Sequence, residues 1–320
     1  MPTSTERRII EERRSRDKDW LLVPILEELL EVPCEPEDDL DFRFMDMLVR
    51  ARAIPRAKGV FSPSMLGSCM RQAYFAKRGT DKHTVPNPRA NGYFLNGNFV
   101  HFKWQFACWK AHRLGKLDLL SVPAESRELD FYGDGTRPGV EVRVMGEEDY
   151  GGTLDVILAF AGPPVPIDFK GVNQIDFQRM VKRGAKQEYR KQLVGYCNNV
   201  NASDLIDFWN RGPVKYGLLV NENKAGPDTS ATSSPIALHE TLVKVVDFDS
   251  EVSRRLRTLR YYDDRGIIPP PECVSTRHMR YQECAFNRFC TAEVKERQRE
   301  REDQAAKRAS RDWRVSRNRD

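Results

Sequence analysis

Three residues in two apolar segments have the types and spacing for metal-assisted chemistry. They are Asp155 within GGTLDVIL (151–158), and Asp168 and Lys170 within PIDFK (166–170). A carboxylate among apolar neighbours, as Asp155 is, costs free energy to bury unless it is paired or holds a cation. Both segments read as strands, in which residues i and i+2 share a face. Asp168 and Lys170 therefore point together, and Phe169 points into the core. If the two strands form a hairpin, the carboxylates converge into a hard oxygen site suited to Mg²⁺ or Mn²⁺. A lysine beside it could orient or activate a water and stabilise charge developing on a phosphate. Taken alone, Asp-x-Lys is in most cases a surface ion pair.

Two helical segments add candidates. GNFVHFKWQ places His101 four residues after Gly97 in an aromatic-rich stretch that reads as a helix over about 92–112. A lone helical histidine is commonly a core residue, but neutral imidazole is also a good third ligand beside two carboxylates. A second helix, over about 183–200, carries Gln192 and Tyr196 four apart on one face.

The elements that must position these residues read as follows. A Ser-capped helix spans about 61–79, and another helix spans about 249–265. Strand patterns occupy 117–122, 140–145, 153–160, 165–170, 216–220 and 241–248. Strands interleaved with helices predict an α/β domain with a mixed sheet and helical flanks. Ahead of it, 1–18 is strongly charged, 19–32 reads as an apolar helix, and 34–42 (CEPEDDLDF) reads as an acidic linker. The division expected is an N-terminal arm over 1–60, a domain over 61–290 and a charged helical tail over 291–320. The apolar helix either packs on the body or docks a protein partner through residues 1–50.

A chain of 320 residues is long enough to bury a core without disulfides. No apolar run approaches the roughly 18 residues of a membrane span, and the charged N-terminus has no apolar signal region. An intracellular, cytoplasmic protein without membrane contact is the expectation. The net charge is only +5, and the basic surplus lies in the tail from Lys307 to Arg319. A nucleic-acid groove would thus have to come from local clustering rather than overall charge. The tail itself, with Trp313, could touch a phosphate backbone. No GxxxxGK[ST] loop is present, so no nucleotide-driven motor is expected.

Taken in order, Gly97/His101, Gly152/Asp155, Asp168/Lys170 and Gln192/Tyr196 resemble the motif set of the PD-(D/E)XK nuclease superfamily, in particular its RecB-like branch. The resemblance covers roughly 61–290 and implies a restriction-endonuclease-like fold and metal-dependent hydrolysis of DNA. His101, Asp155 and Asp168, with the Phe169 backbone carbonyl, would be ligands of Mg²⁺ or Mn²⁺. Lys170 would position the attacking water, and Gln192 and Tyr196 would contact DNA phosphate or support the site. The second acidic position is Asp168, where many of these nucleases have Glu.

Seven cysteines without a secretory signal argue against a disulfide framework. Cys69 precedes the core, and Cys273, Cys284 and Cys290 follow it, at spacings that resemble RecB-like nucleases with a four-cysteine iron–sulfur cluster. CRISPR-associated exonucleases, the AddB nuclease domain and phage proteins belong to that group. The pattern Ser64, Cys69, Arg71, Tyr74 fits its start, and the resemblance assigns Arg71 and Tyr74 to DNA binding. Four thiolates suit [4Fe–4S]; structural Zn²⁺ is the alternative, with His278 in place of one thiolate. The implied substrate is DNA with a free end, processed in a phage or CRISPR-associated setting. A structure-selective endonuclease and a catalytically quiet or partner-dependent DNA-binding protein are the other readings.

Overall fold

The computed structural model describes residues 21–29, 35–54, 59–80, 88–146, 149–160, 162–224, 238–273, 275–277, 279–282 and 284–317. In chain order its elements are α1 (Val23–Leu29), α2 (Asp39–Ala53), α3 (Met70–Lys77), α4 (Pro88–Arg113), β1 (Asp118–Leu119), β2 (Ser121–Pro123), β3 (Thr136–Pro138), β4 (Val140–Met145), β5 (Gly151–Ala159) and β6 (Pro164–Val172). There follow α5 (Gln174–Arg183), α6 (Gln187–Asn201), α7 (Leu205–Trp209), β7 (Tyr216–Asn223), β8 (Leu238–Lys244), α8 (Asp249–Asp264), α9 (Met279–Gln282) and α10 (Thr291–Arg317).

β5 and β6 pair antiparallel, as the hairpin expectation required, and β6 pairs parallel with β7. A parallel pair needs a long crossover, which α5, α6 and α7 provide. β8 closes one edge antiparallel to β7, while β4 and β1 share the outer edge of β5. The result is the expected mixed α/β sheet with helices on both faces. The run PVPIDFKGV in β6 is apolar on both sides because both sides are covered.

One core lies between the sheet and α1, α2 and α4. There Leu22, Leu26, Phe44 and Leu48 meet Trp104, Trp109 and Phe169, all fully or almost fully buried. The other core lies under α6 and α8, with Leu193, Val194 and Leu259 on Leu154, Ile157 and Leu219. Residues 22–29 and α2 therefore pack into the core around Trp104. Glu240 of β8 helps to fix them. Its buried carboxylate accepts from the backbone N–H groups of Leu21, Leu22 and Val23 at 2.8, 2.9 and 2.9 Å.

Where the sequence suggested an acidic linker, Asp38 caps α2 by accepting from the N–H groups of Leu40 and Asp41. Asp41 is fully buried and paired with Lys110 and Arg113 of α4. Acidic composition suggests a linker; these carboxylates are instead matched to the basic last turn of α4. Two further boundaries differ. The segment at 117–122 divides into β1 and β2, which pair with different strands. The helix expected at 183–200 is broken at Gly184, whose φ of +76° ends α5 before α6 begins.

The chain ahead of α3 is stitched beside β5. Phe61 N–H donates to Asp149 O at 2.6 Å, and Gly151 N–H donates to Phe61 O at 2.9 Å. This buries Tyr150, whose hydroxyl has no hydrogen-bond partner among the described residues. A buried hydroxyl without a partner costs about 1–3 kcal/mol. Tyr150→Phe is accordingly expected to be neutral or to stabilise the protein by up to about 1 kcal/mol in a denaturant melt. A clear loss of stability would mean that the hydroxyl is satisfied. Among the described residues no helix is long and apolar enough to cross a membrane.

Candidate active site

The β5–β6 register, with Val156 opposite Ile167, sets Asp155 across from Asp168. The β4–β5 register, with Val140 opposite Val156 and Val142 opposite Leu154, sets Glu141 across from Asp155. Three carboxylates thus form a row across adjacent strands. Regular alternation breaks along this row. Val140 and Val156 enter the core under α4, whereas Val142 and Leu154 enter the core under α6. Glu141 itself has φ +48°, a left-handed conformation rare for a residue of its kind. The backbone turns over at this row, which lines a cleft of about 770 Å³.

His101 of α4 reaches Asp155, with Nδ1 2.8 Å from Oδ2. The same oxygen accepts the Phe169 N–H at 2.8 Å. Lys170 Nζ lies 2.9 Å from the Asp168 carboxylate and hydrogen-bonds its Oδ1. Asp168 Oδ2 is buried and accepts no hydrogen bond among the described residues. The electrostatics follow from this packing. Burial disfavours charge on Asp155, but the His101 charge and hydrogen bond outweigh it, with help from Lys170 and the Phe169 N–H, and hold its carboxyl below the usual range. Burial raises the Asp168 carboxyl, and the Asp155 charge adds to that rise against the pull of Lys170. Burial lowers His101, yet Asp155 and Asp168 lift it above the ordinary imidazole value.

Gln192 and Tyr196 of α6 face the same cleft. Gly152 explains how Tyr196 comes so near. A Cβ at position 152 would lie 2.9 Å from Pro63 Cδ and 3.0 Å from Tyr196 Cε1. Gly152→Ala is therefore expected to push Tyr196 out of place and to destabilise the protein by about 1–3 kcal/mol. An unchanged melting temperature would show that the wall yields freely. Gly97 is under no such constraint, its nearest neighbour being Lys224 Nζ at 3.7 Å.

Three participants were not singled out from the sequence. Gln105, one turn after His101, donates to Glu141 Oε1 at 2.8 Å and to Asp155 O at 3.1 Å. Arg52, at the end of α2, pairs with Glu141 at 3.0 Å and donates to Asn98 O at 3.2 Å. Glu141 is the third; burial, then the Asp155 charge, raise its carboxyl. The sequence does hold a trace of them. His101 and Gln105 are i and i+4 on one helix, and Glu141 alternates with apolar residues in VEVRVM.

Arg71 and Tyr74 are placed elsewhere. Tyr74 is buried against Phe75, its ring 4.7 Å from the Arg78 guanidinium. Arg71 is also buried, and lines a second cavity of about 250 Å³ together with Cys69, Cys273, Cys284 and Cys290. The fold thus brings one cysteine from before the sheet and three from after it to a common space. Phe286 lines both this cavity and the cleft. Burial pushes the Cys284 and Cys290 thiols up. His278 lies outside the described residues. Among the described residues no three His, Cys, Asp or Glu side chains converge as a ready-made metal site. In the cleft, His101 and Asp155 occupy each other's ligand atoms.

The sequence matches no protein-family model and no curated protein. Solved structures do align with the fold. An alkaline exonuclease, LHK-Exo from Laribacter hongkongensis, aligns at TM-score 0.37 and 12% identity, over 70% of this chain and 95% of that one. Its complex with dAMP aligns at 0.37 and 14%, over the same shares. A protein designated SSO0001 aligns at 0.40 and 11%, over 79% of this chain and 96% of that one.

Proposed function

We propose that the protein is a metal-dependent deoxyribonuclease that degrades DNA from a free end. The observation that carries this reading is the pairing of Asp155 with Asp168 across neighbouring strands, with Lys170 bound to Asp168, in a cleft. The buried Oδ2 of Asp168 accepts no hydrogen bond among the described residues and has the Lys170 ammonium 2.9 Å away, an arrangement that supports a site for Mg²⁺ or Mn²⁺. Asp155, Asp168, His101 and the Phe169 carbonyl would hold the ion, once His101 releases Asp155. Such an ion supplies a polarised phosphoryl oxygen and a more acidic water. Lys170, tethered by Asp168, positions that water and stabilises charge building on the phosphate. Gln192 and Tyr196 orient the strand on the α6 side.

The four cysteines are read as holding a [4Fe–4S] cluster. Zinc would draw four ligands to about 2.0–2.3 Å from one point. Thiols spread around a cavity of about 250 Å³ suit a group with volume of its own. The role in phage or CRISPR-associated DNA processing rests on the motif resemblance alone.

The test is an end-labelled DNA assay with Mg²⁺ and with Mn²⁺, comparing wild type with Lys170→Ala. Loss of linear strands, circular strands left intact and no activity in the variant are expected. Cleavage of circles would make the protein an endonuclease. An inactive wild type on every substrate would favour a quiet or partner-dependent DNA-binding role.

A further inference from the structure

Arg71 is a cation taken out of solvent beside the cysteine cavity, and the chemistry of the cleft makes no use of it. It belongs to the first turn of α3, which follows directly on Cys69. Its guanidinium donates to Glu293 Oε1 and Oε2 at 2.8 and 2.7 Å, and its Nε donates to Pro269 O at 2.5 Å. Its Nη1 also donates to Phe289 O, the residue before Cys290, at 3.4 Å, and Arg71 and Cys290 line the same cavity. Arg71 is 4% exposed, whereas the Glu293 side chain is 50% exposed. The residue thus joins the helix that carries Cys69 to the segment that carries Cys290, and places one positive charge beside a sulfur.

We propose that Arg71 is the positioning residue of the four-cysteine site, fixing Cys290 against Cys69 and offsetting negative charge on the bound sulfur. This rests on the reading of the cysteines as a metal-binding set. A guanidinium that served only as a tie between α3 and α10 would need Glu293 and the carbonyl of Pro269, but no place on the wall of the cysteine cavity. Four thiolates carry four negative charges, and hydrogen bonds to the sulfurs are among the protein's means of setting a cluster's potential. Arg suits this place because its fork of donors serves a carboxylate and two carbonyls while its charge borders the cysteine cavity, whereas a lysine offers only a compact point charge.

The full-length protein would be reconstituted anaerobically with iron and sulfide, and separately loaded with zinc. Wild type, Arg71→Gln, Arg71→Lys and Glu293→Gln would then be compared. Melting temperature, the rate of metal loss to a chelator and, for iron, the reduction midpoint would be read for each. Arg71→Gln is expected to lose metal about tenfold faster or more and to show a more negative midpoint. Arg71→Lys should recover much of the midpoint, because it keeps the charge. Glu293→Gln should lower the melting temperature without making the midpoint more negative. Equal effects of Arg71→Gln and Glu293→Gln on melting, with metal loss and midpoint as in wild type, would overturn the inference alone. A wild-type chain that takes up neither iron nor zinc would overturn the cysteine reading and the inference with it.

Discussion

Asp155→Asn is expected to reduce metal-dependent DNA cleavage by about a thousandfold or more, yet to leave folding stability within about 1 kcal/mol of wild type. The two effects separate because Asp155 has two kinds of work. As a hydrogen-bonding group it accepts from the Phe169 N–H and meets His101. Asn has the same shape, and its amide oxygen in the place of Oδ2 still accepts from the Phe169 N–H and from a protonated His101 Nδ1. As a charge, Asp155 is drawn to His101 but repelled by Asp168 and Glu141 across the neighbouring strands, so its loss has opposing effects on the fold. Losing the charge relieves Asp168, whose carboxyl is raised by burial and then by Asp155. Cleavage gains no such compensation. A divalent ion supplies several kcal/mol of transition-state stabilisation, and each 1.36 kcal/mol is tenfold in rate. Cleavage rates at saturating Mn²⁺, with a denaturant melt beside them, decide the matter. A variant as fast as wild type would remove Asp155 from the reaction.

Asp41→Ala is expected to cost about 3–5 kcal/mol of stability, the range for breaking a buried charge pair by deleting one partner. Asp41 binds Lys110 at 2.9 Å and Arg113 at 2.8 Å, and accepts from Trp109 Nε1 at 3.0 Å. Lys110 is itself buried and would keep only the exposed Glu37, at 2.7 Å, so the variant would leave a cation short of its buried partner beside the Phe44–Trp109 stack, where the rings lie 4.7 Å apart. Burial works against the Asp41 charge, but hydrogen bonds from Lys110 and Arg113 prevail and hold its carboxyl at about 2, below the ordinary 3.8. The folded pKa is thus depressed. The stability it contributes is present above 3.8 and is lost as pH falls through about 2. Melts of wild type and Asp41→Ala at pH 7 and near pH 2 should differ widely at the first and converge toward the second. A constant difference would assign the loss to packing instead of charge.

Much of the sheet was legible because both faces are covered. VEVRVM marks β4 residue for residue, and the apolar runs at 153–160 and 165–170 mark β5 and β6 to within a few residues. The juxtaposition of Asp155 and Asp168 was conditional on a hairpin, and the hairpin is there. The acidic stretch before α2 misled because composition alone does not distinguish a solvated carboxylate from a paired one. The cations that match Asp41 lie about seventy positions later in the chain. The resemblance assigns Arg71 to DNA binding; its guanidinium turns inward to Glu293, more than two hundred positions away.

By itself, then, the sequence determined which residues are chemically equipped and which strand or helix each belongs to. Periodicity and local spacing are written in neighbours along the chain. Tertiary structure alone decided that Glu141 joins Asp155 in a row, that Gln105 and Arg52 hold Glu141, that α1 and α2 complete the main core, and that Arg71 turns toward Glu293 beside the cysteine cavity. Each of these depends on strand register or on contacts between distant segments. Burial and charge pairing across such distances are properties of the packed chain, and no local pattern encodes them.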